Sequence, residues 1–278
     1  MSLERGGAAT LKRGEAATLK RGEAATLLTL NNVSAGYGGE DIIKGISFNV
    51  RAGENLAIIG PNGCGKTTLL KAIAGLLPFK GEINIAGKPS QTMKRREIAL
   101  NIAMLCQLSG IYFSYSVYET VMMGRYPHMA ARLAPNAEDR DCVEQIIKAV
   151  DLTDLKDRAI TQLSGGQMQR VFLARVLAQQ PRIILLDEPT NHLDLKYQIE
   201  LIEYLKAWVA EGQRAVIGVM HDVNLAARLS ESFIVMKGGR VLKSGQADGI
   251  IQSGLLNEAY ETDVSEYMKT ALGKWAAL

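Results

Sequence analysis

The stretch Gly60-Pro61-Asn62-Gly63-Cys64-Gly65-Lys66-Thr67 decides the fold of this chain. It matches the pattern of Gly, four free positions, Gly-Lys and Ser or Thr, which is typical of a loop that holds nucleotide phosphates. Glycines let backbone N–H groups turn toward an anion, and the dipole of a following helix adds positive potential there. We expect Lys66 to contact the β- and γ-phosphates and Thr67 to place its hydroxyl on Mg²⁺. A glycine-rich turn that binds nothing is the structural alternative.

The residues on either side supply the context that this motif needs. Residues 55–59 (NLAII) are apolar and partly β-branched, which is typical of a buried strand. Residues 68–74 (TLLKAIA) have helical character and are followed by Gly75, a residue that often ends a helix. The order of strand, loop and helix favours a nucleotide-binding loop over a chance turn.

The composition is that of an ordinary globular protein, with 47% hydrophobic and 22% charged residues among 278. The chain lacks the ~18-residue apolar run of a membrane-spanning helix and the apolar core of a signal peptide, so we expect a cytoplasmic protein. A net charge of +3 is too small to indicate nucleic acid or a membrane surface as a partner. Cys64, Cys106 and Cys142 have neither a disulfide nor a metal-ligand spacing, and we expect reduced thiols. Lys66 and the helix N-terminus beside Cys64 should lower the pKa of its thiol and make it reactive, provided that the loop does not bury it.

The N-terminal residues repeat with a period of eight, as in RGEAATLK at residues 13–20. A glycine in each unit penalises a helix by about 1 kcal/mol, and so few apolar residues cannot form a core. Eight residues are also too few for a solenoid repeat. We predict that residues 1–26 form a flexible low-complexity tail, with a functional arm as the alternative.

The rest of the chain alternates between predicted strands and helices, as in an α/β protein. Strands are predicted where apolar runs are bounded by turn residues, at 28–33, 42–50, 82–86, 183–186, 215–220, 233–236 and 240–243. Helices are predicted from periodicity and capping at 116–124, 139–150, 165–179 and, as short pieces, 248–278. A short apolar segment at 98–105 leads into Gln107, and the helical stretch after it fits an insert into an α/β core.

Tyr37 lies in a glycine-flanked loop, Gly36-Tyr37-Gly38-Gly39, upstream of the phosphate-loop motif. Its ring could stack on a nucleotide base, or it could be a half-buried tyrosine of a turn. The residues alone leave both interpretations open.

A second helix start with two glycines lies at Leu163-Ser164-Gly165-Gly166-Gln167. Ser164 can cap the helix that follows, so backbone N–H groups are again available to an anion. A capped start of this kind is more often purely structural, and both interpretations stay open.

Two further apolar runs end in residues that can carry chemistry. Residues 183–186 lead into Asp187 and Glu188, and residues 215–220 lead into His221. Continuous apolar character suits parallel strands covered on both faces, whose carboxyl ends bind ligands at a common edge. We predict that Asp187 holds Mg²⁺, that Glu188 activates a water and that His221 contacts the γ-phosphate. A surface turn and a satisfied core histidine are the structural alternatives.

Together these motifs resemble those of the ATP-binding cassette proteins over residues 28–270, because the run at 163–167 is similar to that family's own signature. The resemblance implies a P-loop NTPase cassette of the α/β class: a RecA-like parallel-sheet core, an antiparallel β subdomain and an inserted α-helical subdomain. We therefore expect residues 27–278 to form one ATPase domain. Its predicted parts are a catalytic core (27–108 and 181–243), a helical subdomain (109–180) and a C-terminal helical extension (244–278).

The resemblance also implies a role for each matching residue. Tyr37 is expected to stack on adenine, and Gln107 to sense Mg²⁺ and the coupled membrane subunit. The residues expected to bind ATP are Tyr37, Gly60, Pro61, Asn62, Gly63, Cys64, Gly65, Lys66, Thr67, Thr68, Ser164, Gly165, Gly166, Gln167 and, in the D-loop, Asp194. The expected catalytic residues are Lys66, Gln107, Glu188 and His221, and the expected Mg²⁺ ligands are Thr67, Gln107 and Asp187.

In the family that it resembles, the signature of one cassette faces the phosphate loop of another. This chain has one of each, so the resemblance implies a homodimer that holds two ATP molecules at its interface. The implied partners are permease subunits and, indirectly, a substrate-binding protein, with the cassette peripheral on the cytoplasmic face of the inner membrane.

Finer motifs at residues 124–128, at 221–228, and at Tyr260 with Asp263-Val264 resemble the importer ATPases for iron-siderophore, haem and cobalamin. We expect import of iron-siderophore or haem first, and of cobalamin or molybdate next. The chain departs from the commoner Ser-Thr order at positions 67 and 68, and the N-terminal repeats match nothing in the family. The alternatives are a soluble cassette that acts on nucleic acid or ribosomes, and a degenerate cassette that only binds nucleotide.

Overall fold

The computed structural model describes residues 24–106, 114–129, 132, 134–190 and 194–276, with side chains to residue 273. Most of the predicted tail, residues 1–23, and Gln107 lie outside the described residues. The first strand begins at Thr26, the last residue of the predicted tail. Leu27 and Leu28 are buried, so the end of the third repeat unit enters the core.

Ten strands and eleven α-helices are assigned within the described residues. The strands are β1 (Thr26–Ala35), β2 (Ile43–Arg51), β3 (Asn55–Ile59), β4 (Phe79–Ile85), β5 (Lys88–Pro89), β6 (Ile102–Leu105), β7 (Ile183–Asp187), β8 (Ala215–Val219), β9 (Ser232–Lys237) and β10 (Arg240–Gln246). The helices are α1 (Lys66–Ile73), α2 (Arg95–Asn101), α3 (Val117–Met122), α4 (Tyr126–Met129), α5 (Ala137–Ala149), α6 (Gly165–Ala178), α7 (Leu195–Ala210), α8 (Val223–Leu229), α9 (Ala247–Gln252), α10 (Leu255–Tyr260) and α11 (Val264–Ala276).

The strands form two sheets of different character within the described part of the chain. The larger sheet has the order β10-β9-β3-β8-β7-β6, and every pair in it is parallel except the β9–β10 hairpin. The smaller sheet has the order β2-β1-β4-β5 and is antiparallel throughout. The predicted fold class, a RecA-like parallel core with an antiparallel β subdomain and a helical insert, is confirmed.

Successive side chains of the central strands point to opposite faces of the sheet, and this alternation divides the core into two layers. On β3, Leu56 and Ile58 pack toward the antiparallel sheet and α1, whereas Ala57 and Ile59 pack toward the helical insert. The strands β7 and β8 are buried along their whole length. Because both faces of these strands are covered, their sequences are continuously apolar, as a buried parallel sheet requires.

The insert between β6 and β7 consists of α3 to α6 and packs its apolar faces on the parallel sheet. An ion pair between Arg125 Nε and Asp139 Oδ1, 3.0 Å apart, is buried inside it. Burial alone would raise the pKa of Asp139, but the Asn136 backbone N–H and the charges of Arg125 and Arg132 outweigh it and hold that pKa below its usual value. Arg125 also donates to the Ala178 carbonyl at the end of α6, so this network fixes α6 to the rest of the insert.

Two element boundaries in particular differ from the sequence prediction. Residues 95–101 are helical and only 102–105 form a strand, because Asn101 closes α2 through its side chain on the Glu97 carbonyl. Strand β4 begins at Phe79, three residues before its predicted start.

No helix within the described ranges is both long and apolar enough to cross a membrane.

Candidate functional site

The predicted chemical residues meet at the carboxyl ends of β3, β7 and β8. Lys66 opens α1 directly after the loop that follows β3, Asp187 ends β7, and His221 follows β8. Here a cavity of about 380 Å³ is lined by Ile42, Asn62, Gly63, Gly65, Lys66, Thr67, Thr68, Glu188 and His221. Lys66, Glu188 and His221 thus lie at one cavity, as expected for residues at the carboxyl ends of parallel strands.

The glycines of the loop are required by its geometry. At Gly60, φ is 149°, and an added Cβ would lie 2.2 Å from the Met236 carbonyl oxygen. At Gly65, φ is 101°, and an added Cβ would lie 2.6 Å from Ile43 Cγ2. At both positions the loop therefore packs against β9 and β2 as backbone without a side chain, in conformations that glycine adopts readily.

Lys66 is held inside the loop. Its Nζ donates to the carbonyl oxygens of Gly60 at 2.8 Å and Pro61 at 3.0 Å, and the residue is only 5% exposed. Carbonyl oxygens partly compensate a buried ammonium group, whereas a polyanion would compensate it fully. The lysine is therefore positioned at the loop, with its charge available to a phosphate.

Thr67 and Asp187 form a pair of oxygen ligands. The Thr67 hydroxyl donates to Asp187 Oδ1 over 2.8 Å. Burial raises the pKa of Asp187 above its ordinary value, although the Thr67 hydroxyl acts in the opposite direction. Mg²⁺ prefers hard oxygen ligands and is usually bound through one or two protein groups and several waters, so this pair fits it. No group of three or more His, Cys, Asp or Glu side chains within the described ranges forms another metal site.

Glu188 and His221 contact each other across the cavity, between Glu188 Oε1 and His221 Nε2. Glu188 has a left-handed backbone, with φ of 54°, and its N–H donates to the Val219 carbonyl at 3.1 Å. A left-handed glutamate costs roughly 1–2 kcal/mol, and such strain clusters at functional sites. With 34% of its side chain exposed, His221 is not a satisfied core histidine, whereas the left-handed backbone of Glu188 is also compatible with a turn.

Cys64 was expected to be a reactive thiol, provided that the loop did not bury it, and the structure corrects this expectation. The residue is 5% exposed. Burial raises the pKa of the Cys64 thiol, and the charge and backbone N–H of Lys66 only partly offset this effect. The thiolate needed for a reaction with electrophiles is therefore disfavoured.

Tyr37 is 56% exposed, so about half of the residue is accessible and both interpretations stay open. Its ring centroid lies 5.5 Å from Nζ of Lys71, which belongs to the helix that follows the phosphate loop. An exposed aromatic face beside this helix is available for stacking on a base.

The second glycine pair begins α6 as predicted. The Ser164 hydroxyl accepts from the Gln167 N–H, and the Gln167 side chain accepts from the Ser164 N–H. The remaining first-turn N–H groups of a helix have no partner within it, so they can face an anion. Residues 163–167 are absent from the described lining of the phosphate-loop cavity, so one chain does not bring its signature to its own loop.

Residues of the predicted D-loop are only partly described. The Asp194 side chain accepts from the Tyr197 N–H at 3.0 Å and caps α7. The Tyr197 ring covers Gly166, where an added Cβ would lie 2.7 Å from the ring. This contact joins the start of α7 to the signature. Residues 191–193 and Gln107 lie outside the described part of the chain.

Sequence reasoning missed the contact of Tyr260 with the phosphate loop. The Gly60 N–H donates to the Tyr260 hydroxyl over 3.0 Å, across 200 residues of sequence. Burial raises the pKa of this hydroxyl. No local pattern around Tyr260 predicts the contact, because it depends on how α10 packs on the core.

Comparisons with known proteins agree with this geometry. A family model described as "ABC transporter" matches residues 43–191. The iron(3+)-hydroxamate import ATP-binding protein FhuC of Bacillus subtilis (strain 168) is 35% identical over 85% of the chain and 88% of its own length. The uncharacterized ABC transporter ATP-binding protein YvrA of the same organism is 39% identical over 84% of the chain, which spans about half (53%) of its length.

Among solved structures, one assigned to the metal-chelate type of ABC transporter, in an inward-facing conformation, superimposes with a TM-score of 0.74. Its sequence is 28% identical, and the match covers 84% of this chain and 88% of that chain.

The burial of Cys64 predicts an order of thiol labelling. Cys106 is exposed, Cys142 is intermediate and Cys64 is buried, so maleimide should label Cys106 first and Cys64 last. Mass spectrometry of digested protein measures this order, and Cys106→Ser should remove the fast label while ATP hydrolysis persists. Fast labelling of Cys64 in that variant, with loss of hydrolysis, would restore the original expectation of a reactive thiol.

The raised pKa of Asp187 predicts a conflict between stability and activity. A raised folded-state pKa means that Asp187 stabilises the fold below its ordinary pKa and loses this contribution as the pH rises through the folded value. Asp187→Asn should therefore melt at a higher temperature than wild type at pH 7.5, without ligands, and the gap should close on acidification. Hydrolysis should fall by at least about 10²-fold, because a metal ligand is worth several kcal/mol in the transition state.

The control is Asp141→Asn, which alters an exposed aspartate of α5. It should neither raise the melting temperature at pH 7.5 nor reduce hydrolysis. An Asp187→Asn variant that is less stable than wild type at pH 7.5 would contradict the conclusion that the buried charge of Asp187 destabilises the fold.

Proposed function

The chain belongs to the ABC transporter family, and from this premise we propose that it is the ATP-hydrolysing subunit of an importer that takes up a metal chelate through a separate permease. The observation that carries this proposal is the convergence of Lys66, Glu188 and His221 on one cavity, with Thr67 bonded to Asp187 beside it. A degenerate cassette would be expected to lack part of this set. The import names of the relatives support the direction of transport.

The residues present account for the chemistry of ATP hydrolysis. Lys66 binds the phosphates and offsets charge on the transferred phosphoryl group. Glu188 orients or deprotonates the attacking water, and His221, which contacts Glu188, holds the γ-phosphate. Magnesium, when bound at Thr67 and Asp187, supplies further positive charge to the phosphates. Gln107 keeps its proposed role as a further Mg²⁺ ligand and as the sensor of the membrane subunit.

A homodimer completes the site. The signature at Ser164 to Gln167 does not line the phosphate-loop cavity of its own chain. Ser164 and Gly166 of one copy are proposed to bind the γ-phosphate held by Lys66 of the other. The N–H groups of the first turn of α6 supply the donors, and Ser164 is exposed and accessible to a partner. ATP therefore closes the dimer, and hydrolysis reopens it.

The helical insert is proposed to receive the permease. Within the motif at residues 124–128, Gly124 packs on α6, and Arg125 is buried in the insert. His128 is tied to the Gln179 carbonyl at 2.8 Å, so these residues have a structural explanation. Tyr126 is 63% exposed, and it is the residue of this motif that we propose for docking.

The proposed cargo is an iron-siderophore or haem, ahead of cobalamin and molybdate. The iron(3+)-hydroxamate relative and the metal-chelate structure support this order. The cassette would lie on the cytoplasmic face of the inner membrane, bound to its permease and reached only indirectly by a substrate-binding protein. A cassette that acts on nucleic acid is less well supported, because a net charge of +3 gives little attraction for a polyanion.

Glu188→Gln should trap the ATP-bound dimer. The amide keeps the shape of the side chain but cannot accept a proton, so hydrolysis should fall by roughly 10²- to 10⁴-fold. Size-exclusion chromatography with MgATP should give a dimer for this variant and mostly monomer for wild type. Lys66→Ala is the control, because it weakens nucleotide binding and should stay monomeric. Near wild-type hydrolysis by Glu188→Gln would remove Glu188 from its role.

Uptake measurements test the transport function. A strain that lacks the gene should fail to accumulate one of four labelled compounds, namely ferric siderophore, haem, cobalamin or molybdate. Wild-type protein should restore uptake, and Lys66→Ala should not, because it cannot use ATP. Unchanged uptake of all four compounds would contradict the importer assignment, whereas recovery of nucleic acid without a permease in a pull-down would favour the alternative.

A further inference from the structure

We propose that Tyr260 is a positioning residue for ATP binding, through which the C-terminal helices hold the first glycine of the phosphate loop in its binding conformation. The inference rests on the proposed ATPase function and assigns a part of that site to the last helices of the chain. Sequence order gives no reason for it, because Tyr260 lies 200 residues after Gly60.

The hydrogen bond from Tyr260 constrains Gly60, whose carbonyl and α-carbon are constrained by other contacts. The Gly60 N–H donates to the Tyr260 hydroxyl at 3.0 Å, and the Gly60 carbonyl accepts from Lys66 Nζ at 2.8 Å. The α-carbon faces the Met236 carbonyl so closely that no Cβ fits. Tyr260 therefore fixes the same peptide segment that orients the phosphate-binding lysine.

Tyr260 is itself held by a cluster of contacts at the end of α10. Lys237 Nζ, at the end of β9, donates to the Glu258 carbonyl at 2.8 Å and pairs with Glu261 Oε1 at 2.9 Å. The turn after β9 reaches the same loop from another side, because the Gly239 N–H donates to the Cys64 carbonyl at 3.2 Å. The strand end and the helix end are thus joined to each other and to the phosphate loop.

Loss of the hydroxyl should loosen the empty loop. Gly60 is buried, so without Tyr260 its N–H would lack a partner, and a buried unpaired donor is costly. The loop would relax to satisfy it, and a nucleotide would then have to reorder the loop on binding. Because Glu188 and His221 are untouched, the loss should appear in binding and not in the chemical step. ATP and ADP should be affected alike, since both occupy the loop.

The test is Tyr260→Phe, which removes one oxygen atom and keeps the ring that packs on the core. Its dissociation constants for MgATP and MgADP, measured by calorimetry, should rise about threefold to thirtyfold, which corresponds to one weakly to moderately contributing hydrogen bond. The KM for ATP should rise by a similar factor, with kcat within about twofold of wild type. A merely structural tyrosine would lower the melting temperature and leave these constants unchanged.

Two further variants complete the design. Tyr204→Phe alters another partly buried tyrosine that packs on the same core, and it should bind both nucleotides like wild type. Lys237→Met removes the support of α10 and keeps Tyr260, so it should weaken binding in the same direction, by a smaller factor.

The outcomes separate this inference from the proposed function. Wild-type protein that does not bind MgATP would contradict the proposed function. Wild-type protein that binds it, together with a Tyr260→Phe protein of equal affinity, would overturn the positioning role alone. If Tyr260→Phe does not fold, Lys237→Met decides, and unchanged nucleotide affinity in that variant would overturn the inference.

Discussion

The lack of space beside Gly60 is the constraint on which the rest of the site depends. The parallel pairing of β3 with β9 brings the Met236 carbonyl so close that any side chain at position 60 would collide with it. The chain can leave β3 here only as bare backbone, which allows the loop to curl around an anion. Lys66 then reaches back to the Gly60 carbonyl, so the first and seventh residues of the motif are fixed to one another. This hydrogen bond between the first and seventh residues therefore requires the spacing of the motif.

Several local conflicts surround this loop. Asp187 carries a carboxylate in a buried place, Glu188 has a left-handed backbone, and the buried Lys66 ammonium donates to the carbonyl oxygens of Gly60 and Pro61. The two buried charges, Lys66 and Asp187, are unfavourable in the protein alone, and the magnesium nucleotide of the proposed function would supply each with an opposite charge. Local rules tend to be broken at functional sites, where the ligand provides the compensation. The residues of the proposed ATP site are thus those that contribute least to the stability of the fold.

The sequence predicted which residues form the site better than it predicted how the rest of the protein packs around them. Lys66, Thr67, Asp187, Glu188 and His221 could be placed because each sits at the end of a recognisable apolar strand or loop, and parallel strands end at one edge. The burial of Cys64 could not be predicted in the same way, because Gly239 and the elements packed around the loop come from distant parts of the chain.

Other differences have the same origin. Thr26 looked like part of a repeat, yet it pairs with Arg51 in the antiparallel sheet. Arg125 lies in the motif at residues 124–128 that resembles importer ATPases, but its charge is neutralised inside the insert by Asp139. Helix α6 then joins the two ends of that insert. Its first turn carries the signature, Gln169 donates to the Pro189 carbonyl beside Glu188, and its last turn is bonded to Arg125. A partner docked at Tyr126, as proposed, would therefore contact the insert close to the helix whose first turn carries the signature. Within the proposed function, α6 is thus the element through which the proposed docking residue and the signature would be connected in a single chain.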